Sequence, residues 1–350
     1  MLRSTKPIVT IFIVCLLVII TLVGCTSKST SDASRSASYF IFDTIVTVKV
    51  YSEHVEDQHF DAIELILNRI DHAMNRQLKG SEIAQVNQQA GLGAVPVSAE
   101  TFLVVQKAID YAQRSEGRFD PTIGPLVDLW KIGTEDANLP DEASINETIE
   151  LVNYKDVLIN EQQKSIMLNR ADMSIDLGAI AKGYAADQVA AYLKNEGFDS
   201  AIIDLGGNIL AMGTKPNNEL WTIAIQNPES KRGDNIGTLR VNNKTIVSSG
   251  VYERYFMQDG VRYHHIFDST TGYPIVNNLL SLTIVTTHSI DADALSTTLF
   301  SMGLEKGMTF VESIKDVEAF FITNDRKIYT TSGFADDLHI TDASYSKHKK

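Results

Sequence analysis

The chain predicts an α+β fold, with mixed, mostly antiparallel sheets and helices packed against them. Residues 55–78 and 98–116 carry apolar side chains at helical spacing, whereas residues 221–285 break into short alternating segments. Nothing in the order of elements repeats the regular β-α-β alternation of a doubly wound parallel sheet. At 350 residues with 44% hydrophobic and 21% charged content, the chain has ample material for a core.

The first element is not part of that fold. Arg3 and Lys6 precede the unbroken apolar run 8-IVTIFIVCLLVIITLV-23, which ends in 22-LVGC-25. This is short for a membrane span and suits a secretory leader. Small residues followed by Cys25 match a lipoprotein signal peptide over residues 1–24, with Cys25 acylated as the mature N-terminus. An uncleaved signal anchor is the alternative, against which stand the position of Cys25 and the polar stretch after it. Residues 25–38, rich in Ser and Thr, cannot bury enough surface to fold and predict a disordered tether. The expected protein is extracytoplasmic and lipid-anchored to the cell membrane. Its one folded domain is expected over residues 39–340, with a disordered tail at 341–350.

Loss of Cys15 with the leader and modification of Cys25 leave no thiol, so disulfides, thiolate metal sites and cysteine nucleophiles are excluded. The formal charge of −13 becomes −15 once Arg3 and Lys6 are removed. A nucleic-acid partner would need a basic face that this chain does not offer. An anionic substrate would need a locally positive site or a bound cation.

Along the domain, the β-branched alternation of 40-FIFDTIVTVKVY-51 predicts a strand. Phe60, Ile63, Leu67, Ile70 and Met74 predict one helix, Ser81 opens a shorter one, and Ser98 caps a third that Gly117 ends. The segment 119-FDPTIGPLVDLWKIG-133 predicts a shaped loop with a short helix. Residues 157–160 and 165–168 predict paired strands. A helix follows within 175-IDLGAIAKGYAADQVAAYLKNEG-197, and 201-AIIDLGGNILAMG-213 reads as strand, glycine turn, strand. Short strands follow as far as 280-LSLTIVTT-287. Then come an amphipathic helix, a second at about 304–314, and a closing hairpin over 317–331.

Four constellations carry candidate chemistry. In 176-DLGAIAKGYAAD-187, a helix start with free N–H groups and Lys182 close by can hold phosphate; it serves equally as a surface helix capped by Asp176. In 204-DLGGN-208, paired glycines admit a ligand or merely turn a hairpin. In 262-RYHHIFDSTTGYP-274, adjacent His264 and His265 face opposite ways if both lie in a strand, so at most one lines a pocket as a general base. The fourth is Asp293 with Thr297 one turn on, in a helix otherwise suited to burial. One carboxylate and one hydroxyl are too few for a calcium cage but suit Mg²⁺, which keeps waters and takes ligands from substrate phosphates; an interior aspartate bonded to backbone is the alternative.

Together, the series 42-FDT-44, 119-FDPTIGPL-126, 175-IDLGAIAKGYAAD-187, 204-DLGGN-208, 249-SG-250, 265-HIFDSTTGYP-274 and 292-ADALST-297 resembles the ApbE flavin transferases (FAD:protein FMN transferases) over roughly residues 40–335. The family often has Met-Gly-Thr at 42–44 and a tyrosine near Gln77. The resemblance implies the ApbE-like, T-fold-related architecture, with FAD as substrate and Mg²⁺ as cofactor. It implies transfer of FMN to a Thr or Ser hydroxyl of an exported or membrane redox protein bearing a D-G-x-[ST]-x-A-T-like motif, with release of AMP. That motif is absent from this chain, so self-modification is not expected. By the same resemblance, Asp293, Thr297 and the Ala179 carbonyl hold Mg²⁺, and His265 deprotonates the acceptor. Phe42, Phe119, Asp120, Pro121, Asp176, Lys182, Gly206, Gly207, Asn208, Ser249, Gly250 and Ile266 contact FAD. One alternative uses the same pocket, a Mg²⁺-dependent FAD pyrophosphatase yielding FMN and AMP; another, of a different class, is a non-catalytic flavin- or solute-binding lipoprotein.

Overall fold

A computed structural model describes residues 33–230, 233–334 and 337–348. The expected signal peptide (1–24), the acylated Cys25 and the first part of the tether lie outside the described residues. Among the described residues, no helix is long and apolar enough to cross a membrane.

Strands β1 (Arg35–Ile41) and β2 (Thr44–Val50) open the fold, followed by helices α1 (Asp57–Met74) and α2 (Glu82–Gln88). The folded domain therefore begins earlier than expected. Residues 35–38, assigned above to the tether, are strand, because each pairs with β2 and Arg35 donates to the Val55 carbonyl at 3.1 Å. The five apolar residues of α1 named above are its buried ones. Ser81 caps α2 by accepting from the Ala84 N–H at 2.9 Å. Ser98 likewise caps α3 (Ala99–Arg114), which follows β3 (Val95–Pro96). Helices α4 (Gly124–Trp130) and α5 (Glu142–Ile149) come next, then paired β4 (Val157–Asn160) and β5 (Ser165–Leu168). The polar α5 was not expected; its signal is the Asp141 cap, which accepts from Ser144 N–H.

Helix α6 spans Ala181–Asn195, two residues later than the Gly178 entry allows, because Gly178, Ala179 and Ile180 form a turn on the Leu177 carbonyl. Then come β6 (Ala201–Leu205), β7 (Asn208–Met212), β8 (Trp221–Gln226), β9 (Asn235–Val241), β10 (Lys244–Gly250), β11 (Tyr255–Gln258), β12 (Val261–His264) and β13 (Leu279–Thr286). Helix α7 (Ser289–Glu312) is broken at Gly303, whose φ of 71° is left-handed, so it comprises the two helices expected. Strands β14 (Glu318–Thr323), β15 (Lys327–Thr330), β16 (Leu338–Ile340) and β17 (Ser346–His348) finish the chain. Residues 341–348 are not a loose tail. Tyr345 is buried, and β17 pairs with β15 in parallel.

The main sheet has nine strands in the order β1-β2-β6-β7-β10-β13-β14-β15-β17, antiparallel except at β15–β17. Both faces are covered. Phe321 of β14 joins the large core with α1, α3, α6 and α7, while its neighbours Phe320 and Ile322 join a second core under the β16-β9-β8 sheet. Burial on both sides explains why β13 and β14 read as nearly continuous apolar runs rather than alternating ones. A third cluster surrounds Trp130, whose Nε1 donates to the Gly272 carbonyl at 3.0 Å.

Helices α6 and α7 approach so closely at Gly183 that an added Cβ would lie 2.2 Å from the Ser289 carbonyl oxygen. Gly183→Ala is expected to destabilise the fold by about 1–3 kcal/mol through overpacking, read from the urea midpoint. An unchanged midpoint would mean that the helices do not meet there.

Candidate active site

The site forms where the start of α6, the first turn of α7 and the β6–β7 turn meet. The Gly206–Gly207 turn has φ values of 68° and 105°, the conformation a two-residue hairpin demands. It delivers Asn208 to the sheet interior, where Asn208 Nδ2 donates to Asp293 Oδ1 at 2.9 Å. The other Asp293 oxygen accepts the Gly183 N–H at 2.6 Å. In a regular helix that N–H would serve the Ala179 carbonyl four residues back. Asp293 thus caps α6 from another helix, and no N–H among the described residues takes the Ala179 carbonyl.

Burial raises the pKa of Asp293, against the lowering influence of Lys182, Asn208 and the Gly183 N–H. Asn208 is fixed in turn, since Ser289 Oγ donates to its Oδ1 at 2.7 Å and Thr245 donates to Ser289 at 3.1 Å. Asp187 accepts from the Ser289 and Ile290 N–H groups at 2.8 and 3.0 Å, capping α7. Thr297, half-buried, lies one turn beyond Asp293. Ser249 at the end of β10 donates to Ser296, which donates to the Asp293 carbonyl at 2.8 Å.

Lys182 folds back to the Gly178 carbonyl at 3.0 Å, in the first turn of α6. Asp176 Oδ1 accepts from Gly178 N–H at 2.8 Å and shapes the same turn. His265 sits beyond the end of β12, half-buried, with Nδ1 3.3 Å from the Arg254 carbonyl. A carbonyl only accepts, so Nδ1 carries the proton and Nε2 keeps its lone pair free for base chemistry. Burial foremost, then His264, Arg254 and Lys182, push the His265 pKa down to about 4. His264 has no such freedom. Its Nε2 contacts the Ile275 carbonyl at 2.9 Å and its Nδ1 accepts from Ile266 N–H.

The other expected ligand contacts divide. Phe42 and Asp43 form the β1–β2 turn, both at positive φ (57° and 54°), an uncommon state for a bulky aromatic. This turn touches the glycine turn, for a Cβ on Gly206 would lie 2.2 Å from Thr44 Oγ1. Gly250 lies against the Tyr252 ring. Pro121 contributes through its backbone, accepting from Asp176 N–H at 2.8 Å. Phe119 is 3% exposed and packs edge-on to Tyr111 in the core. Both Asp120 oxygens are taken, one by Thr122 and the other by Tyr154 N–H. Ile266 is likewise a core side chain. Phe119 and Ile266 are thus core side chains, and Asp120 is held by local donors. Asp187, Ser289 and Thr245 were not singled out from sequence. Asp187 had a signal, as the last residue of the 176–187 motif.

His265 is expected to make the fold acid-sensitive. Its folded pKa lies below the unfolded value of about 6.5, so only the unfolded chain takes up this proton as pH falls from there towards 4. His265→Asn should lose less stability than wild type between pH 7.5 and 5 in urea titrations. Equal losses would rule out a depressed pKa.

The ApbE family model matches residues 42–321. The chain is similar to an FAD:protein FMN transferase of Klebsiella pneumoniae, 37% identical over 85% of this chain and 92% of the relative. A second, from Treponema pallidum, is 32% identical over 89% and 90%. Among solved structures, the ApbE protein of Thermotoga maritima superposes with a TM-score of 0.80 at 29% identity, covering 87% of this chain and 99% of that one. The flavin transferase ApbE of Vibrio cholerae gives 0.79 at the same identity and coverage. With this match spanning sheet, turns and both helices of the site, the chain belongs to the ApbE family.

Proposed function

We propose that the protein transfers the FMN portion of FAD to a threonine or serine hydroxyl of an acceptor protein, releasing AMP. The observation that carries this reading is the convergence of Asp293, Asn208 and the start of α6, with its unpaired Ala179 carbonyl and Lys182, from three separate segments. The relatives described as FAD:protein FMN transferases support it over most of their length.

The donor set fits Mg²⁺. Each Asp293 oxygen accepts one hydrogen bond and retains lone-pair capacity. The Ala179 carbonyl and the Thr297 hydroxyl complete an all-oxygen set suited to a hard cation that keeps waters. Bound there, Mg²⁺ would offset the pyrophosphate charge and polarise the bond that breaks. Lys182 and the start of α6 hold the diphosphate electrostatically, countering the acidic field of the chain. His265 Nε2 takes the acceptor hydroxyl proton as its oxygen forms the bond to the FMN phosphorus. The phosphorus–oxygen bond to AMP breaks, and AMP leaves with the bridging oxygen. With its pKa held down by burial, His265 is neutral at physiological pH.

The acceptor would carry a D-G-x-[ST]-x-A-T-like motif on an exported or membrane redox protein. A lipid on Cys25 would hold the enzyme beside it on the extracytoplasmic face.

The test is incubation of the soluble domain with FAD, Mg²⁺ and a domain bearing that motif. Mass gain of one FMN plus AMP is expected. AMP without mass gain would instead indicate FAD hydrolysis, and FAD binding without AMP a carrier. Asp293→Ala should lose turnover by at least about 100-fold while retaining its circular dichroism spectrum, and chelation should do the same to wild type. His265→Ala should lower transfer by about 10²–10⁴-fold; unchanged transfer would remove it from the proton path.

A further inference from the structure

Arg76 stands outside every motif described above, in the loop after α1, yet its side chain is 9% exposed and makes more cross-segment contacts than its place suggests. Nη1 donates to Asp128 Oδ1 at 3.0 Å, and Nη2 pairs with the other Asp128 oxygen. Nη2 also reaches Ser174 Oγ at 3.2 Å and the Gly124 carbonyl at 3.4 Å. Its Nε has no hydrogen-bond partner and lies 3.8 Å from Asp176 Oδ2. One buried guanidinium therefore spans from α4 to the segment that leads into α6.

That segment is otherwise held by the buried side chains of Met173, Ile175 and Leu177 and through its backbone. Asn87 exchanges hydrogen bonds with both Ile175 backbone groups at 2.8 and 3.0 Å, Pro121 accepts from Asp176 N–H, and Ser174 accepts from Gly124 N–H. These contacts fix the chain path and leave the Asp176 side chain to be oriented by something else. Its Oδ1 closes the Gly178 turn. The same turn presents the Ala179 carbonyl and supplies the oxygen to which Lys182 is bonded.

We propose that Arg76 is a positioning residue for FAD binding. Its charge holds Asp176 in the rotamer that shapes the Gly178–Ala179 turn, and so sets where the diphosphate and its cation are received. Asp128 on the far side of the guanidinium is half exposed and serves only as an anchor. An arginine is required, because a lysine ammonium cannot span Asp128, Ser174 and Asp176 at once.

This inference rests on the flavin reading above, and the experiment separates the two. FAD affinity is measured by flavin fluorescence titration with Mg²⁺ present, and in parallel by the rise in melting temperature that FAD produces. The variants are Arg76→Met, Arg76→Lys, Asp128→Ala and Asp176→Asn. Loss of affinity of about tenfold or more is expected for Arg76→Met, Arg76→Lys and Asp176→Asn, with Asp128→Ala binding as wild type despite a comparable drop in its own melting temperature. The Arg76→Met/Asp176→Asn double variant should bind no worse than either single one, since both act through one contact. Should Arg76→Met not fold, Arg76→Lys against Asp128→Ala decides the matter. Equal affinities in that pair, or additive losses in the double variant, would overturn the positioning role alone. Absence of FAD binding by wild type would overturn the flavin reading and this inference with it.

Discussion

Everything at the candidate site depends on one carboxylate taken out of water. An ionised carboxylate in an apolar interior is costly unless its oxygens are met by donors. Asp293 is met by a helix N–H and by an amide side chain, contributed from segments 110 and 85 residues away. The first satisfies a helix terminus that would otherwise lack a partner. The second fixes the glycine turn against the same point. Helix, turn and carboxylate thus hold one another, and each would be mispositioned without the other two.

The geometry also separates tasks between chemically similar groups. Two adjacent histidines receive opposite fates because one has both ring nitrogens occupied and the other has one. Among the aspartates, Asp120 spends both oxygens on Thr122 and the Tyr154 N–H, and Asp187 spends both on the first N–H groups of α7. Asp293 divides its oxygens between two elements, the start of α6 and Asn208 of β7. Residue type alone does not assign these roles; the partner of each lone pair does.

Much of the fold could be read from the chain because its causes are local. The buried stripe of α1 and the caps at Ser81 and Ser98 follow from helical spacing and from a hydroxyl placed before it. Asp293 and Thr297 were legible as neighbours one turn apart. Arg76 was not, since nothing near it in sequence reveals that Ser174 and Asp176 fold onto it. Strand β17 escaped for a related reason: its residues Ser346, Lys347 and His348 are all exposed and carry no alternation, and its order comes from pairing with β15 and from the buried Tyr345 beside it. The buried ring of Phe119 shows the converse limit. A motif names the segment, while burial decides which of its atoms meet solvent.

The order of strands in the main sheet has a consequence for how the chain matures. Its two rims are β1 and β17, the first and last strands of the described fold, and β2 must find β6 far along the chain, with Val46 opposite Leu205. Pairing over such separations is slow because loop closure precedes any gain from contact. A polypeptide emerging amino end first therefore holds β1 and β2 as an isolated ribbon, marginal by itself in water, until most of the molecule has been released. During that interval the exposed Phe40 and Ile45, which face one another across the ribbon, are available for unwanted pairing. The ribbon is first shielded on its inner edge when β6 arrives, so the order of synthesis leaves the amino-terminal hairpin uncovered longest.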